Sequence, residues 1–236
     1  MAFDDLPLPV VNFLNVIGVP WPYIDEDTVS QFAQLTREFA TAVQTTHEDA
    51  TRAIAGIASA YQAASTDSMV SGWAKLSARH VDEMVDGCHV LARALDVAAG
   101  YIVAQKAEAV AVLIGMAAAF AADQAAAVAT AGIAEAALPL IYLGARKVIK
   151  SLVMDVQQYL IGQVIEAAAK PLFAKVQDTM TGLDWSRSGG AGNGPGDGIR
   201  LDPDEAAQHI SVLRSHAASM REHGARYGYA VAGLGF

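Results

Sequence analysis

The sequence has a single cysteine, Cys88, and little charge for its length. One cysteine excludes an intramolecular disulfide framework. Only 17% of the 236 residues are charged and 53% are hydrophobic, whereas globular proteins usually carry about 25% charge. The excess of apolar surface has to be hidden, and closely packed alanine-rich helices would hide it. The length suffices for one large domain, or for one domain with an appendage.

Basic residues are scarce, and none precedes Arg37 although the formal net charge is −9. Nucleic acids and anionic membrane surfaces are recognised by basic patches, so we expect neither as the main partner. A secretory signal peptide needs a basic segment followed by an apolar one, and the first residues do not follow that order. The sequence therefore predicts cytoplasmic residence, or export by a route that needs no cleaved signal.

Strand patterns and catalytic motifs are also missing from the sequence. β-Branched and aromatic residues seldom alternate with polar ones over four or more positions, which predicts an all-α fold. No G-x-S-x-G, HExxH or C-x-x-C signature is present. Acid–base or nucleophilic catalysis needs positioned titratable groups, and the acidic pairs of this chain have the pattern of solvated helix faces. We predict a non-enzyme with no catalytic residue, no metal and no cofactor.

Residues 1–24 are apolar and contain four prolines. Proline restricts its own backbone and that of its predecessor, so a long helix is not expected here. We predict an arm laid on the helical body, with Trp21 and Tyr23 as its anchors. The alternative is a docking peptide for another protein, because exposed apolar patches often mark contact sites.

Two helical seams follow the arm, separated by the polar break AYQAASTDSMVSGW at residues 60–73. Residues at alternating three- and four-residue steps predict helices that pack on each other. The first seam comprises Val29, Phe32, Thr36, Phe39, Val43, Thr46, Ala50, Ile54, Ile57 and Tyr61. The second comprises Met69 or Val70, Trp73, Ser77, His80, Met84, Cys88, Leu91, Leu95, Ala98 and Ile102. Two long helices joined by a few residues fold back as an antiparallel hairpin, and Ser65, Thr66 or Asp67 can cap the returning helix.

Residues 109–122 form an uninterrupted apolar run. A membrane span needs roughly 20 residues, and a longer window would include Lys106, Glu108 or Asp123. A buried helix is the simpler interpretation, and membrane insertion is the alternative. Gly132 and Pro139 predict a break. A further helix is predicted over about 140–181, and Pro171 either kinks it or begins a new segment.

The last part of the chain is predicted to be a glycine-rich linker at 183–201 and an amphipathic helix at 202–236. Asp202 as a cap and Pro203 at the first helical position mark its start. Its predicted seam comprises Ala206, Ile210, Leu213, Ala217, Met220, Gly224 and Tyr227. A lone helix cannot bury this seam, so it has to dock on the body or on a partner.

Three histidines, His209, His216 and His223, recur every seven residues beside that seam. Neighbours in the row would stand about 10.5 Å apart, which is too far to share a zinc ion. A solvated flank is the simple interpretation. The alternative is a pH-sensitive interface, because protonation near pH 6.5 would place charge beside an apolar surface.

The helix–turn–helix with an aromatic residue at its joint is similar to the WXG superfamily of type VII (Esx) secretion proteins. Residues from about 20 to 185 more closely resemble the N-terminal WXG-like module of CpnT-type actinobacterial polymorphic toxins, with the opening VPWPYIDED, a long hairpin and an alanine-rich middle. Tyr61, Gln62 and Ala63 stand where the family has Trp-x-Gly, and Trp73 matches its second aromatic residue. The module would occupy residues 25–182.

This resemblance implies a non-enzymatic substrate or adaptor of a type VII secretion system, with toxin delivery as a further implied role. Its partners would be a small Esx-like helical protein or a second copy, and the secretion machinery. The location would be secreted or cell-envelope after export without a cleaved signal peptide. The alternatives are a membrane-inserting channel or translocation module that contacts the membrane, and a cytosolic helical scaffold. The predicted partner surface comprises Trp21, Tyr23, Ile210, Leu213, Met220 and Tyr227.

Overall fold

The computed structural model describes residues 6–62, 64–76, 80–129, 138–182, 200–201 and 203–235. Within these residues the chain is helical except for short connections and two strands of two residues each, which confirms the all-α prediction. The elements are α1 (Leu8–Ile17), α2 (Glu26–Ala60), β1 (Tyr61–Gln62), α3 (Ala64–Leu76), α4 (Asp82–Ala129), α5 (Leu138–Tyr159), a π-helical segment (Leu160–Ala169), α6 (Lys170–Gly182), β2 (Arg200–Leu201) and α7 (Pro203–Ala232).

The apolar arm contains a helix of ten residues, α1, which the proline pattern did not predict. Pro9 lies within its first two positions, where a missing N–H costs no helical hydrogen bond. The helix ends at Gly18, whose φ of 68° is the left-handed conformation that glycine adopts most easily. The amide of Val19 then donates to the carbonyl of Leu14 at 3.1 Å. Pro9 therefore lies in the first turn, the other three prolines lie outside the helix, and none of the four prevents it.

Helix α2 begins at Glu26, within the acidic stretch 25–27, whose carboxylates suit the N-terminus of a helix. The Asp25 carboxylate accepts hydrogen bonds from the amide of Asp27 at 2.9 Å and from the Thr28 hydroxyl at 2.7 Å. These bonds, chiefly that from the Thr28 hydroxyl, lower the pKa of Asp25. Asp25 thus satisfies free amides of the first turn, as an N-cap residue does.

The predicted kink at Pro171 takes the form of a change in helix type. The helix continues without a break from Leu138 to Gly182, but the ten residues Leu160–Ala169 that precede α6 are π-helical. Proline lacks an amide hydrogen, and its ring collides with the carbonyl four residues earlier in a regular α-helix. A wider turn before the proline relieves that collision. The predicted break at Gly132 lies outside the described residues.

The chain divides into two compact units. The first unit comprises the described residues up to Gln31 together with Ala94–Glu166, and the second comprises Phe32–Arg93 and Ala167–Gly235. All six histidines of the sequence belong to the second unit. The apolar run of residues 109–122 belongs to the first.

The core of the first unit is made by α1, α4 and α5. Phe13 and Phe120 meet with their ring centroids 5.7 Å apart. A Cβ atom on Gly144 would stand 2.5 Å from the Met116 methyl, so a glycine permits the close approach of α5 and α4 there. The buried residues of this core are Leu6, Val10, Phe13, Leu14, Val19, Val110, Leu113, Ala117, Ala145 and Ile149.

The arm is therefore anchored by α1. Trp21 is partly buried and packs against this core, but Tyr23 is 81% exposed. The prediction that Tyr23 anchors the arm is wrong. Phe13 and Leu14, consecutive residues of α1, are buried in the core in its place.

The second unit contains the predicted hairpin. Its first arm is α2, and the returning arm consists of α3 and the beginning of α4. Buried residues continue along the returning arm at Val85, Cys88, Leu91 and Ala92. Ser77, a predicted seam residue, lies outside the described residues.

Candidate helix-interaction surface

The hairpin tip is a tight backbone joint. Tyr61 and Gln62 pair antiparallel with Leu201 and Arg200, respectively, so the chain just before α7 is fastened to the tip. The hydroxyl of the buried Thr66 donates to the carbonyl of Tyr61 at 2.9 Å. The prediction that Ser65, Thr66 or Asp67 precedes the returning helix as its cap is wrong, because α3 begins at Ala64; Thr66 lies in the first turn and satisfies a carbonyl just after α2. Ala63 lies outside the described residues.

Trp73 joins the two arms of the hairpin. Its indole Nε1–H donates to the Thr51 hydroxyl at 2.8 Å, and its ring stacks on His47 with centroids 4.9 Å apart. Thr51 lies ten residues before Tyr61 and Trp73 twelve residues after it. Contacts between residues at nearly equal distances from a turn confirm the antiparallel hairpin.

Helix α7 lies along α2 within the same unit. The Tyr227 ring stacks on Phe39 at 4.7 Å, and its hydroxyl is 2.9 Å from the Thr36 hydroxyl. His223 Nε2 is 2.8 Å from the hydroxyl of Thr46. Residue numbers rise along α7 as they fall along α2, so the two helices are antiparallel.

His209 and His216 continue this interface toward the hairpin tip. A Cβ atom on Gly56 would stand 2.2 Å from His209 Nε2, so only glycine leaves room for that imidazole. The His216 ring meets Trp73 edge-on at 5.5 Å and lies 6.1 Å from the His47 ring. His47, Trp73 and His216 therefore form one aromatic cluster, which brings together α2, α3 and α7.

The histidine row occupies the seam of α7, and the simple interpretation as a solvated flank is wrong. Ile210 is 41% exposed, and Ala217 and Gly224 are exposed as well. The less exposed residues form a heptad pattern instead. They are Ala206, His209, Leu213, His216, Met220, His223, Tyr227 and Ala230. The apolar pattern in the sequence indicated a seam rotated away from the one that forms, because imidazoles hold alternate core positions.

Burial sets the charge state of the cluster. Burial lowers the pKa of His47, although the carboxylates of Asp82 and Glu48 oppose this effect. Burial lowers the pKa of His216 too, and the neighbouring His47 adds to it. Among the described residues His216 Nε2 is buried without a hydrogen-bond partner. The site accordingly favours neutral imidazoles.

The six residues of the predicted partner surface fall in both units. Trp21 and Tyr23 belong to the first, and the other four belong to α7 in the second. Leu213, Met220 and Tyr227 lie on the inner side of α7, where Tyr227 is already held by Phe39 and Thr36. On α7 only Ile210, of this set, is exposed enough to meet another molecule without detachment of the helix.

One buried ion pair in the first unit was missed at the sequence level. The side chain of Lys106 on α4 is 1% exposed, and its ammonium donates to the carboxylate of Glu26 and to the carbonyl of Ile24. This pair fastens the beginning of α2 to α4. The only sign of this ion pair in the sequence is a lone lysine ahead of a long apolar run, the residue that limits a membrane span there.

Within the described residues, no group of three or more His, Cys, Asp or Glu side chains could hold a metal ion. Cys88 is buried, and burial raises the pKa of its thiol to about 11. A thiol with so high a pKa is almost entirely protonated near neutrality and is a poor nucleophile.

One helix in the described part of the chain is long and apolar enough to cross a membrane. It covers Asp82–Ala126, with a mean hydropathy of 1.7 in its most apolar window. Only 22% of that window is buried in the protein. Length and composition alone support this assignment, and core helices of soluble proteins can pass the same test.

The protein is thus all-α. Its antiparallel hairpin consists of α2 with α3 and α4 and presents long faces to other helices. The chain matches the family model of the WXG100 like domain over residues 5–142, more than half of its length. It therefore belongs to the WXG100-like family, which is part of the WXG superfamily. No curated protein and no solved structure matches the chain. Helix α7 lies beyond the matched residues.

Proposed function

We propose that this protein is a non-enzymatic substrate or adaptor of a type VII (Esx) secretion system and works by helix–helix association. The observation that carries the proposal is the WXG100-like match over residues 5–142, which spans the hairpin. Hydrogen bonds and ring contacts between helices, such as that of Trp73 with Thr51, hold this hairpin together. Proteins of this kind act by presenting helical faces, for which no catalytic group is needed.

The finer part of the proposal concerns partners and location. A small Esx-like helical protein, or a second copy of this chain, would pack against a face of the hairpin. The protein would leave an actinobacterial cell through the type VII machinery without a cleaved signal peptide, as the delivery module of a CpnT-type toxin system. The sequence VPWPYIDED and the alanine-rich middle support this relationship.

Secretion is the direct test. In a host with the cognate system, we expect the protein in the culture supernatant when the type VII ATPase is intact and only in cells when the ATPase is inactivated. A cytosolic marker measures lysis. Equal amounts in both supernatants would overturn the proposal, and retention inside the cell in both strains would favour a cytosolic scaffold.

The hairpin-tip residues can be tested in the same assay. Tyr61→Ala and Trp73→Ala remove the residues at the positions of the family's two aromatics, and we expect a drop of at least about tenfold in export of a protein that is still helical by circular dichroism. Tyr229→Ala is the matched control, because Tyr229 is 86% exposed at the far end of α7. If both hairpin variants are exported as the wild type is, the tip has a structural role only and takes no part in export.

A second candidate function is membrane insertion as a channel or translocation module. The long apolar stretch of α4, of which only 22% is buried, favours it. Val112 and Ile114 are 45% and 44% exposed on that stretch. If this function is correct, the protein will float with liposomes and release a trapped dye. A protein that stays at the bottom of the gradient and releases no dye would exclude it.

A further inference from the structure

Helix α7 covers a face of the hairpin and is joined to the body by a glycine-rich stretch of sequence at 183–199. Its contacts with α2 extend from His209 on Gly56 to Tyr227 on Phe39 and Thr36. Apart from the pairing of Arg200 and Leu201 with the hairpin tip, these seam contacts hold α7 against α2.

Three of the core positions of that seam are histidines. Leu213, Met220 and Tyr227 alternate with His209, His216 and His223. In packed helices a polar residue at such a position lowers stability and favours a particular register or partner. Histidine is also the side chain whose ordinary pKa lies between pH 5 and pH 8. A seam built from apolar residues alone would not respond to pH in this range.

We propose that α7 is a pH-sensitive strap, which covers the α2 face of the hairpin at neutral pH and detaches in mild acid. The decisive site is the cluster of His47, Trp73 and His216. A proton on either imidazole would place a charge in a partly buried site, 6.1 Å from a second imidazole. His216 Nε2, buried with no acceptor among the described residues, has no way to stabilise that charge.

The charged neighbours do not remove this effect. Asp82 on α4 and Glu48 on α2 attract a proton to His47, but burial is the larger influence on its pKa. On His216 the two influences, burial and His47, act in the same direction. Arg52 of α2 lies with Glu48 and Asp82 around the same opening beside His47, and its guanidinium pairs with the Asp49 carboxylate, so this pair adds no net charge. Trp73, the contact from α3, has no charge.

His223 is less sensitive because protonation does not break its contact with α2. An imidazolium can donate to the Thr46 hydroxyl as well as a neutral ring can. Arg226, whose Nη2 donates to His223 Nδ1 at 3.5 Å, lies on α7 itself, so the loss of this bond on protonation does not loosen α7 from α2, and Glu222 partly offsets the arginine charge. We therefore assign the main response to His47 and His216.

The direction of the pH effect follows from these contacts. A histidine that must be neutral when α7 is docked takes up a proton more readily when α7 is detached. Docking is then strongest above about pH 6.5 and weakens as the pH falls through that value. At pH 5.5 each such histidine shifts the equilibrium toward detachment by up to about tenfold, and the two together by up to about a hundredfold.

Hydrogen exchange of the full chain at pH 5.5 and 7.5 measures this equilibrium, once protection factors correct for the intrinsic rate at each pH. We expect the protection of amides in α7 to fall by at least tenfold at pH 5.5. The amides of α5 give an internal control, because the first unit contains no histidine. Equal protection of α7 at both pH values would overturn the proposal.

Variants identify the responsible groups. His47→Phe with His216→Leu keeps a ring on Trp73 and an apolar seam, and we expect protection of α7 that differs by less than about twofold between the two pH values. His216→Gln is a second, milder variant and should lose about tenfold of the response. His89→Gln, at a histidine of α4 outside the α7 seam, should respond as the wild type does. A full response in both cluster variants would contradict the assignment.

Gly56→Val supplies the detached state at neutral pH. Its side chain would occupy the position of the His209 ring, from which a Cβ atom alone stands 2.2 Å. We expect low protection of α7 in this variant at pH 7.5, close to that of the wild type at pH 5.5. High protection of α7 in this variant at pH 7.5 would show that the helix stays docked although its seam is displaced. That result would contradict a strap whose docking depends on its seam contacts.

Discussion

Replacing Lys106 by methionine should lower the free energy of unfolding of the first unit by about 3 kcal/mol, because loss of one partner leaves the other charge of a buried pair uncompensated. The lysine side chain is 1% exposed and that of Glu26 is 11% exposed. Methionine retains most of the length and removes the charge. The loss would also free the beginning of α2 from α4, since the same ammonium holds the carbonyl of Ile24.

Urea unfolding, followed by the fluorescence of Trp21 with Trp73 and Trp185 changed to phenylalanine, measures this loss, because Trp21 packs against the core of that unit. Lys150→Met is the matched control, since Lys150 is exposed on α5 of the same unit. Adding Glu26→Gln to Lys106→Met should restore most of the stability, because no buried charge then remains. A Lys106 variant as stable as the Lys150 variant would show that the pair contributes nothing.

The hairpin could be predicted from the sequence because its signals are local and redundant. Seven-residue periodicity, the acidic cap at Asp25 and the polar break after Ala60 all indicate the same two arms. The structure adds what periodicity does not encode. The π-helical segment before Pro171 replaces a simple kink.

The candidate surface was predictable in its parts but not in its arrangement. The sequence indicates that α7 has to dock, and it singles out His209, His216 and His223. It does not show that the imidazoles face inward, because hydrophobicity alone assigns histidine to the solvent side. Two features of the facing helix α2 show that the imidazoles point inward. Gly56 leaves room for His209, and the ring of His47 lies beside that of His216. Such pairings join residues about 150 positions apart and are invisible to a periodicity within one helix.

The apolar run of α4 illustrates the same limit. Fourteen apolar residues in a row carry no information on which face is covered, so a buried helix and a membrane helix have the same appearance in sequence. In the structure Leu113 is fully buried in the core with α1 and α5, whereas its neighbours Val112 and Ile114 are nearly half exposed. The helix is therefore covered on one face, and single substitutions can distinguish its sides.

Leu113→Ala should destabilise the first unit by about 3–4 kcal/mol, because it removes a fully buried side chain and leaves a cavity beneath α1. Leu143→Ala, the same chemical change at a residue of α5 that is 59% exposed, should alter stability by no more than about 0.5 kcal/mol. Urea unfolding reported by Trp21 gives both values under the same conditions. If the two substitutions cost the same, the apolar run is not packed in the core as the structure has it, and the membrane function would gain support.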